Sequence, residues 1–140
     1  MGSLTLLPTM SAAAGNGLEE MSALLGHALI AEDEWLIAAE LEHHLRGLGC
    51  EVVEHVDSVA GGLTALRARR PDLALLDVQL ADGWATSLAE APVAAAVPFF
   101  LLTGYRCGDF EEPVLRDAPC LAKPCDEAEF QAAIDRLLGR

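Results

Sequence analysis

Four consecutive apolar residues, Leu73 to Leu76, stand between Pro71-Asp72 and Asp77, and the turn-forming pair Asp82-Gly83 follows shortly after. A strand with one wet face would alternate apolar and polar residues. An unbroken apolar run bounded by turn signals suits a strand buried on both faces, as in a parallel sheet. Such a sheet needs a helical layer on each side and crossover connections between its strands. Asp77 is then expected at the strand's carboxyl end, the edge at which open α/β sheets bind ligands and do chemistry.

The same signature recurs along the chain. Ala28-Leu29-Ile30-Ala31 reads as a first strand ending in Glu32-Asp33-Glu34, followed by a helix with Ile37, Leu41, Leu45 and Leu48 on one face and Gly49 as its stop. His43 and His44 fall on or beside its polar face and read as solvated. Glu51 to Val56 is a second strand. Ser58 can cap a helix whose apolar side is Val59, Leu63 and Leu66, with Gly61-Gly62 weakening it by roughly 1 kcal/mol each. Arg67, Arg69 and Arg70 gather at that helix's end, where the helix dipole favours cations, and Pro71 forbids continuation. After the Asp72 strand and the Asp82-Gly83 turn, a short helix is expected from Trp84 to about Ala91.

Val97 to Leu102 is a fourth strand ending in Thr103-Gly104. Tyr105 to Ala118, interrupted by Gly108 and Pro113, predicts a fourth helix that is short or irregular. Cys120-Leu121-Ala122 is a brief fifth strand ending in Lys123-Pro124. Asp126 to Leu138 closes the chain as a helix, with Asp126 and Glu129 spaced as a capping box and Phe130, Ile134, Leu137 and Leu138 facing the core. Five strands alternating with helices give an α/β, doubly wound parallel sheet. Residues 1–26, rich in Ala, Gly, Ser and Thr, read as a flexible N-terminal extension, and residues 27–140 as the domain.

At 140 residues, 52% hydrophobic and 22% charged, the chain is one globular domain's worth. A formal charge of -13 with only 9 basic residues argues against direct nucleic-acid contact. The longest apolar run, Ala91 to Leu102, is broken by Pro92 and Pro98, so no membrane insertion is expected. The first basic residue is Arg46, so no secretory signal is read and a cytoplasmic location is expected. The four cysteines, Cys50, Cys107, Cys120 and Cys125, lack Cys-x-x-Cys spacing and are expected to be isolated reduced thiols.

Four strand ends therefore carry Glu32-Asp33, Asp77, Thr103 and Lys123, all at one edge. Clustered carboxylates call for a cation, and Mg²⁺ (or Mn²⁺) held by carboxylates, carbonyls and water fits. An ammonium and a hydroxyl beside it would hold phosphoryl oxygens, and a carboxylate can accept a phosphoryl group as an acyl phosphate.

These residues resemble the receiver domain of two-component response regulators over roughly Ala28 to Leu138: an acidic pair after the first strand, a phosphoacceptor Asp after the third, Thr after the fourth and Lys-Pro after the fifth. The resemblance implies a flavodoxin-like sheet of order 2-1-3-4-5, with Asp77 as phosphoacceptor and Thr103 and Lys123 assisting. It also implies Mg²⁺ on Asp33, Asp77 and the backbone carbonyl of Gln79, with Glu32 acting through water. Gln79, Gly104 and Tyr105 occupy positions that tune such a site, and the Lys123-Pro124 bond is cis in relatives. Cys120 departs from the pattern, because receivers usually place an aromatic switch residue three positions before the Lys. Leu101-Leu102-Thr103-Gly104-Tyr105 is similar to the Phe-Ala-Thr-Gly-Tyr type of receiver, associated with HWE-class histidine kinases.

The implied function is a stand-alone receiver that takes phosphate from a sensor histidine kinase or phosphotransfer protein in a two-component phosphorelay. It would catalyse its own phosphorylation without being a conventional enzyme, and signal through a downstream protein partner or act as a phosphate shuttle or sink. The alternatives are a degenerate receiver that binds partners without phosphorylation and, third, an aspartate-nucleophile phosphatase of the haloacid dehalogenase type. That phosphatase chemistry needs an acid two residues past the nucleophile, where this chain has Gln79.

Overall fold

The computed structural model describes residues 26–104 and 106–139. Nearly all of the expected extension, and Tyr105, lie outside these residues. Among the described residues, seven strands and five helices follow one another: β1 His27–Ala31, α1 Trp35–Gly47, β2 Val52–Val56, α2 Val59–Ala68, β3 Leu73–Asp77, β4 Gln79–Leu80, β5 Gly83–Trp84, α3 Thr86–Ala95, β6 Phe99–Thr103, α4 Pro113–Arg116, β7 Cys120–Ala122 and α5 Glu127–Leu137.

Five strands form one parallel sheet in the order β2-β1-β3-β6-β7. With β4 and β5 set aside as a separate antiparallel ribbon, this is the flavodoxin-like 2-1-3-4-5 order. The central strands β1, β3 and β6 are buried at every position, which is why their sequences carry no alternation. Strand pleating divides their side chains between two cores. Leu29, Ala31, Ala74, Leu76, Phe99 and Leu101 pack with Ala65 of α2, Leu88 and Ala89 of α3, and Leu115 of α4. Ala28, Ile30, Leu73, Leu75, Phe100 and Leu102 pack with Leu41 and Leu45 of α1 and Phe130 and Ile134 of α5. Phe100 and Phe130 meet edge to face at 5.9 Å between ring centroids.

Local signals account for most helix ends. Ser58 accepts from the Gly61 N–H, and Asp126 with Glu129 forms a complete capping box. Gly49, at φ 94°, takes the left-handed turn after α1 that a side chain would resist. One cap was invisible in the sequence: the Asp82 carboxylate accepts from the Val59 and Ala60 N–H groups at 2.7 and 3.1 Å. These bonds tie the hairpin tip to the α2 amino end and hold the Asp82 carboxyl below its usual range.

Two expectations need correction. The helix after β3 starts at Thr86, because Gly83–Trp84 pairs with Gln79–Leu80, and it runs past Pro92 to Ala95 instead of ending near Ala91. The thiols are not all free. Cys107 and Cys120 form a disulfide with Cα atoms 5.8 Å apart, while Cys50 and Cys125 stay unpaired. Spacing could not disclose the bond, because the chain leaving β6 doubles back over β7 and brings together residues separated by 13 positions. The fourth helix is short, as expected, with only four residues.

Candidate functional site

The parallel register delivers the candidate residues to one edge. Ala31 pairs with Leu76, Asp77 with Leu102, and Thr103 with Ala122, so the four strands end within about two residues of one level and bring Asp77, Thr103 and Lys123 to one cleft, with Glu32 directly after β1. That open cleft of about 490 Å³ is lined by Asp33, Glu34, Asp77, Gln79, Leu80, Thr103, Gly104 and Lys123.

The Lys123 ammonium sits between two carboxylates. Its Nζ donates to Asp77 Oδ2 at 3.0 Å and to Glu32 Oε1 at 3.1 Å. The Gln79 N–H donates to Asp77 Oδ1 at 3.3 Å, and the Glu34 N–H to Glu32 Oε2 at 3.2 Å. Glu32 is fully buried and Asp77 nearly so, whereas Asp33 is exposed at the mouth. The Lys123 N–H donates to the Thr103 carbonyl at 2.7 Å, fixing β7 against β6 where both meet the cleft. The Lys123-Pro124 bond is cis.

One ammonium faces three carboxylates, and the imbalance shows in the titration of the groups. Burial, then the hydrogen bond and charge of Asp77, push Glu32 from an ordinary 4.5 up to about 7, against the pull of the Glu34 N–H and Lys123. Burial alone would lower Lys123, but hydrogen bonds and attraction from Asp77 and Glu32 outweigh it and hold the ammonium above the usual lysine range. Carboxylate oxygens of Glu32, Asp33 and Asp77 can be chosen that all lie within 4.8 Å of one another. Hard oxygen donors with uncompensated negative charge are the donor set a Mg²⁺-sized cation takes.

The structure thus brings together Glu32, Asp33, Asp77, Gln79, Thr103, Gly104 and Lys123. Cys120 lies off the cleft and is bonded to Cys107. Sequence reasoning missed His55, whose Nε2–H donates to the Glu32 carbonyl at 2.7 Å and anchors the acidic turn from the neighbouring strand. A polar Glu54-His55 pair inside an otherwise Val-rich strand was the available signal.

No family model matches the chain. Among solved structures, SdrG from Sphingomonas melonis Fr1 is 39% identical with a TM-score of 0.70, covering 82% of this chain and 98% of SdrG. The receiver domain of the sensor histidine kinase PA1611 from Pseudomonas aeruginosa PAO1 has a magnesium ion coordinated in its active-site cleft. It is 26% identical with a TM-score of 0.71, covering 82% of this chain and 98% of that one. The phyllosphere-induced regulator PhyR from Methylorubrum extorquens is 32% identical over 129 residues, 87% of this chain and 47% of PhyR. The chain spans about half the length of the curated relatives it matches. Its strand order, its acidic edge closed by one lysine, and its likeness to SdrG over nearly that whole chain lead to one conclusion: the chain belongs to the response regulator receiver domains.

Proposed function

We propose that this receiver accepts a phosphoryl group from a phosphohistidine donor onto Asp77 and passes the signal on through protein contact or phosphate relay. The observation that carries the reading is Lys123 bridging Asp77 and Glu32 at 3.0 and 3.1 Å, beside the exposed Asp33, in a cleft open to a partner. A carboxylate oxygen of Asp77 attacks phosphorus, the P–N bond to the donor imidazole breaks, and the imidazole leaves with the electron pair and takes up a proton. Lys123 holds the acceptor carboxylate in place and faces the negative charge brought in by the phosphoryl oxygens, where the Thr103 hydroxyl adds a donor. Asp33, Asp77 and the Gln79 carbonyl would hold Mg²⁺, with Glu32 behind them acting through water; when bound, the ion neutralises phosphoryl charge and orients the group.

The residues 27–140 would form the receiver and 1–26 an appended segment. The Leu101–Tyr105 sequence favours an HWE-class histidine kinase as the donor, read in the cytoplasm. The ion pairs of Lys123 with Asp77 and Glu32 also leave room for a second reading, a receiver that binds partners without phosphorylation, since both carboxylates already have a cation. Incubation with Mg²⁺ and acetyl phosphate, or a beryllofluoride salt, separates the two. The proposal expects phosphoryl label on Asp77 and shifted Asp77 and Thr103 resonances; unlabelled protein with unchanged spectra would leave the second reading. A short time course against purified histidine kinases then identifies the donor.

A further inference from the structure

We infer that the Cys107–Cys120 pair is a thiol–disulfide exchange site, open to a dithiol reductant, whose state sets how firmly the β7 edge strand is held against the sheet. Cys107 is exposed and its partner half-buried against the core, so the outer sulfur is the one a reductant reaches first. The bond joins the loop leaving Thr103 to the first residue of β7, the strand that leads into Lys123, and so links the two segments that carry Thr103 and Lys123 to the cleft. Noncovalent support for that region is thin. β7 has three residues, α4 has four, and among the residues from Gly108 to Pro119 only Phe110 and Leu115 are buried.

The exchange balances as two electrons and two protons. A reductant thiolate attacks Cys107 Sγ, the Sγ–Sγ bond breaks, and Cys120 leaves as a thiolate that takes up a proton. The reductant's second thiol then attacks its own sulfur in the mixed disulfide, releasing Cys107 as a thiol and leaving the reductant as a cyclic disulfide. The remaining cysteines are weak competitors. Cys50 is buried, and burial together with the nearby Glu129, Glu40 and Asp126 charges raises the Cys125 thiol, so both stay protonated.

The inference is tested on the whole chain, equilibrated in a series of reduced and oxidised dithiothreitol mixtures, alkylated and mapped by mass spectrometry. Cys107 and Cys120 are expected to convert together, while Cys50 and Cys125, reached by the alkylating agent once the acid-quenched chain is unfolded, are modified throughout. Amide exchange is then followed at Lys123 and Leu101, which donate to Thr103 and Pro119 at 2.7 and 2.8 Å. Reduction should speed exchange at both by about tenfold or more, with Ile30 in the central strand unchanged as the control for an intact fold. Cys107→Ser and, separately, Cys120→Ala should exchange like the reduced protein in either buffer. Cys107 or Cys120 alkylated in oxidising mixtures, a bond that persists in excess dithiol, or equal exchange in both states would overturn the inference. No readout requires phosphoryl uptake, so this result and the one for Asp77 are independent.

Discussion

If Mg²⁺ binds on the carboxylates around Lys123, binding must expel the proton that Glu32 retains in the metal-free protein. Glu32 titrates at about 7, so it is about nine-tenths ionised one unit above that value and about one-tenth ionised one unit below. Apparent Mg²⁺ affinity is therefore expected to fall about tenfold between about pH 8 and pH 6, with close to one proton released per ion bound at the lower pH. Calorimetric titration in two buffers of different ionisation enthalpy measures both quantities. Glu32→Gln keeps a hydrogen-bond acceptor for Lys123 but has nothing to titrate, so its affinity should be weaker at about pH 8 and nearly flat across the same window. Wild-type affinity equal at both pH values, or a Glu32→Gln variant with the full dependence, would refute the argument. Stability of the metal-free protein should move the opposite way. A carboxyl raised in the folded state binds a proton that the unfolded chain has released, so stability falls as pH rises from 4.5 through about 7, by at most about 3 kcal/mol. Lys123, raised above 10.5, contributes stability that is complete below that value and lost only as pH climbs through its folded value.

Asp77→Asn should abolish labelling by acetyl phosphate with an unchanged far-ultraviolet circular dichroism spectrum. It should also bring the Glu32 titration, followed by carboxyl ¹³C resonance, down from about 7, because Asp77 contributes both a hydrogen bond and a charge to that shift; label retained on another residue would contradict the assignment. Lys123→Ala leaves Glu32 and Asp77 facing each other without their shared cation and should cost roughly 2–4 kcal/mol near pH 8 in urea denaturation. The same variant should weaken phosphoryl-driven spectral change more than Mg²⁺ binding, and an equal loss of both would count against its role. Gly62→Ala should destabilise by roughly 1–2 kcal/mol despite better helix propensity, because the new Cβ would lie 2.7 Å from Cδ1 of the fully buried Leu88. Gly47→Ala meets nothing within 4 Å and should stabilise the fold by up to about 1 kcal/mol, read as a higher urea midpoint.

What the sequence disclosed and what it withheld divide along a physical line. Runs such as Leu73–Leu76 and Phe99–Leu102 announce buried parallel strands because burial on both faces removes the alternation, and a parallel sheet then fixes which strand ends share an edge. Asp33, Asp77, Thr103 and Lys123 were therefore legible as a set before any distance was known. The withheld features are all side-chain meetings across the chain. Asp82 capping α2, His55 holding the Glu32 carbonyl, Cys107 bonding Cys120 and Leu88 closing over Gly62 each pair residues whose spacing carries no period. Gly61-Gly62 shows the difference within one dipeptide. Propensity reads two equal weaknesses in a helix, whereas packing makes Gly62 the position that lets α3 approach α2, with Gly61 meeting only the capping Ser58 hydroxyl and Val56. The titration of Glu32 belongs to the same class. A buried acid beside one lysine reads as a satisfied ion pair, but Asp77 shares that lysine, and the uncompensated charge is what gives a cation a reason to enter the cleft.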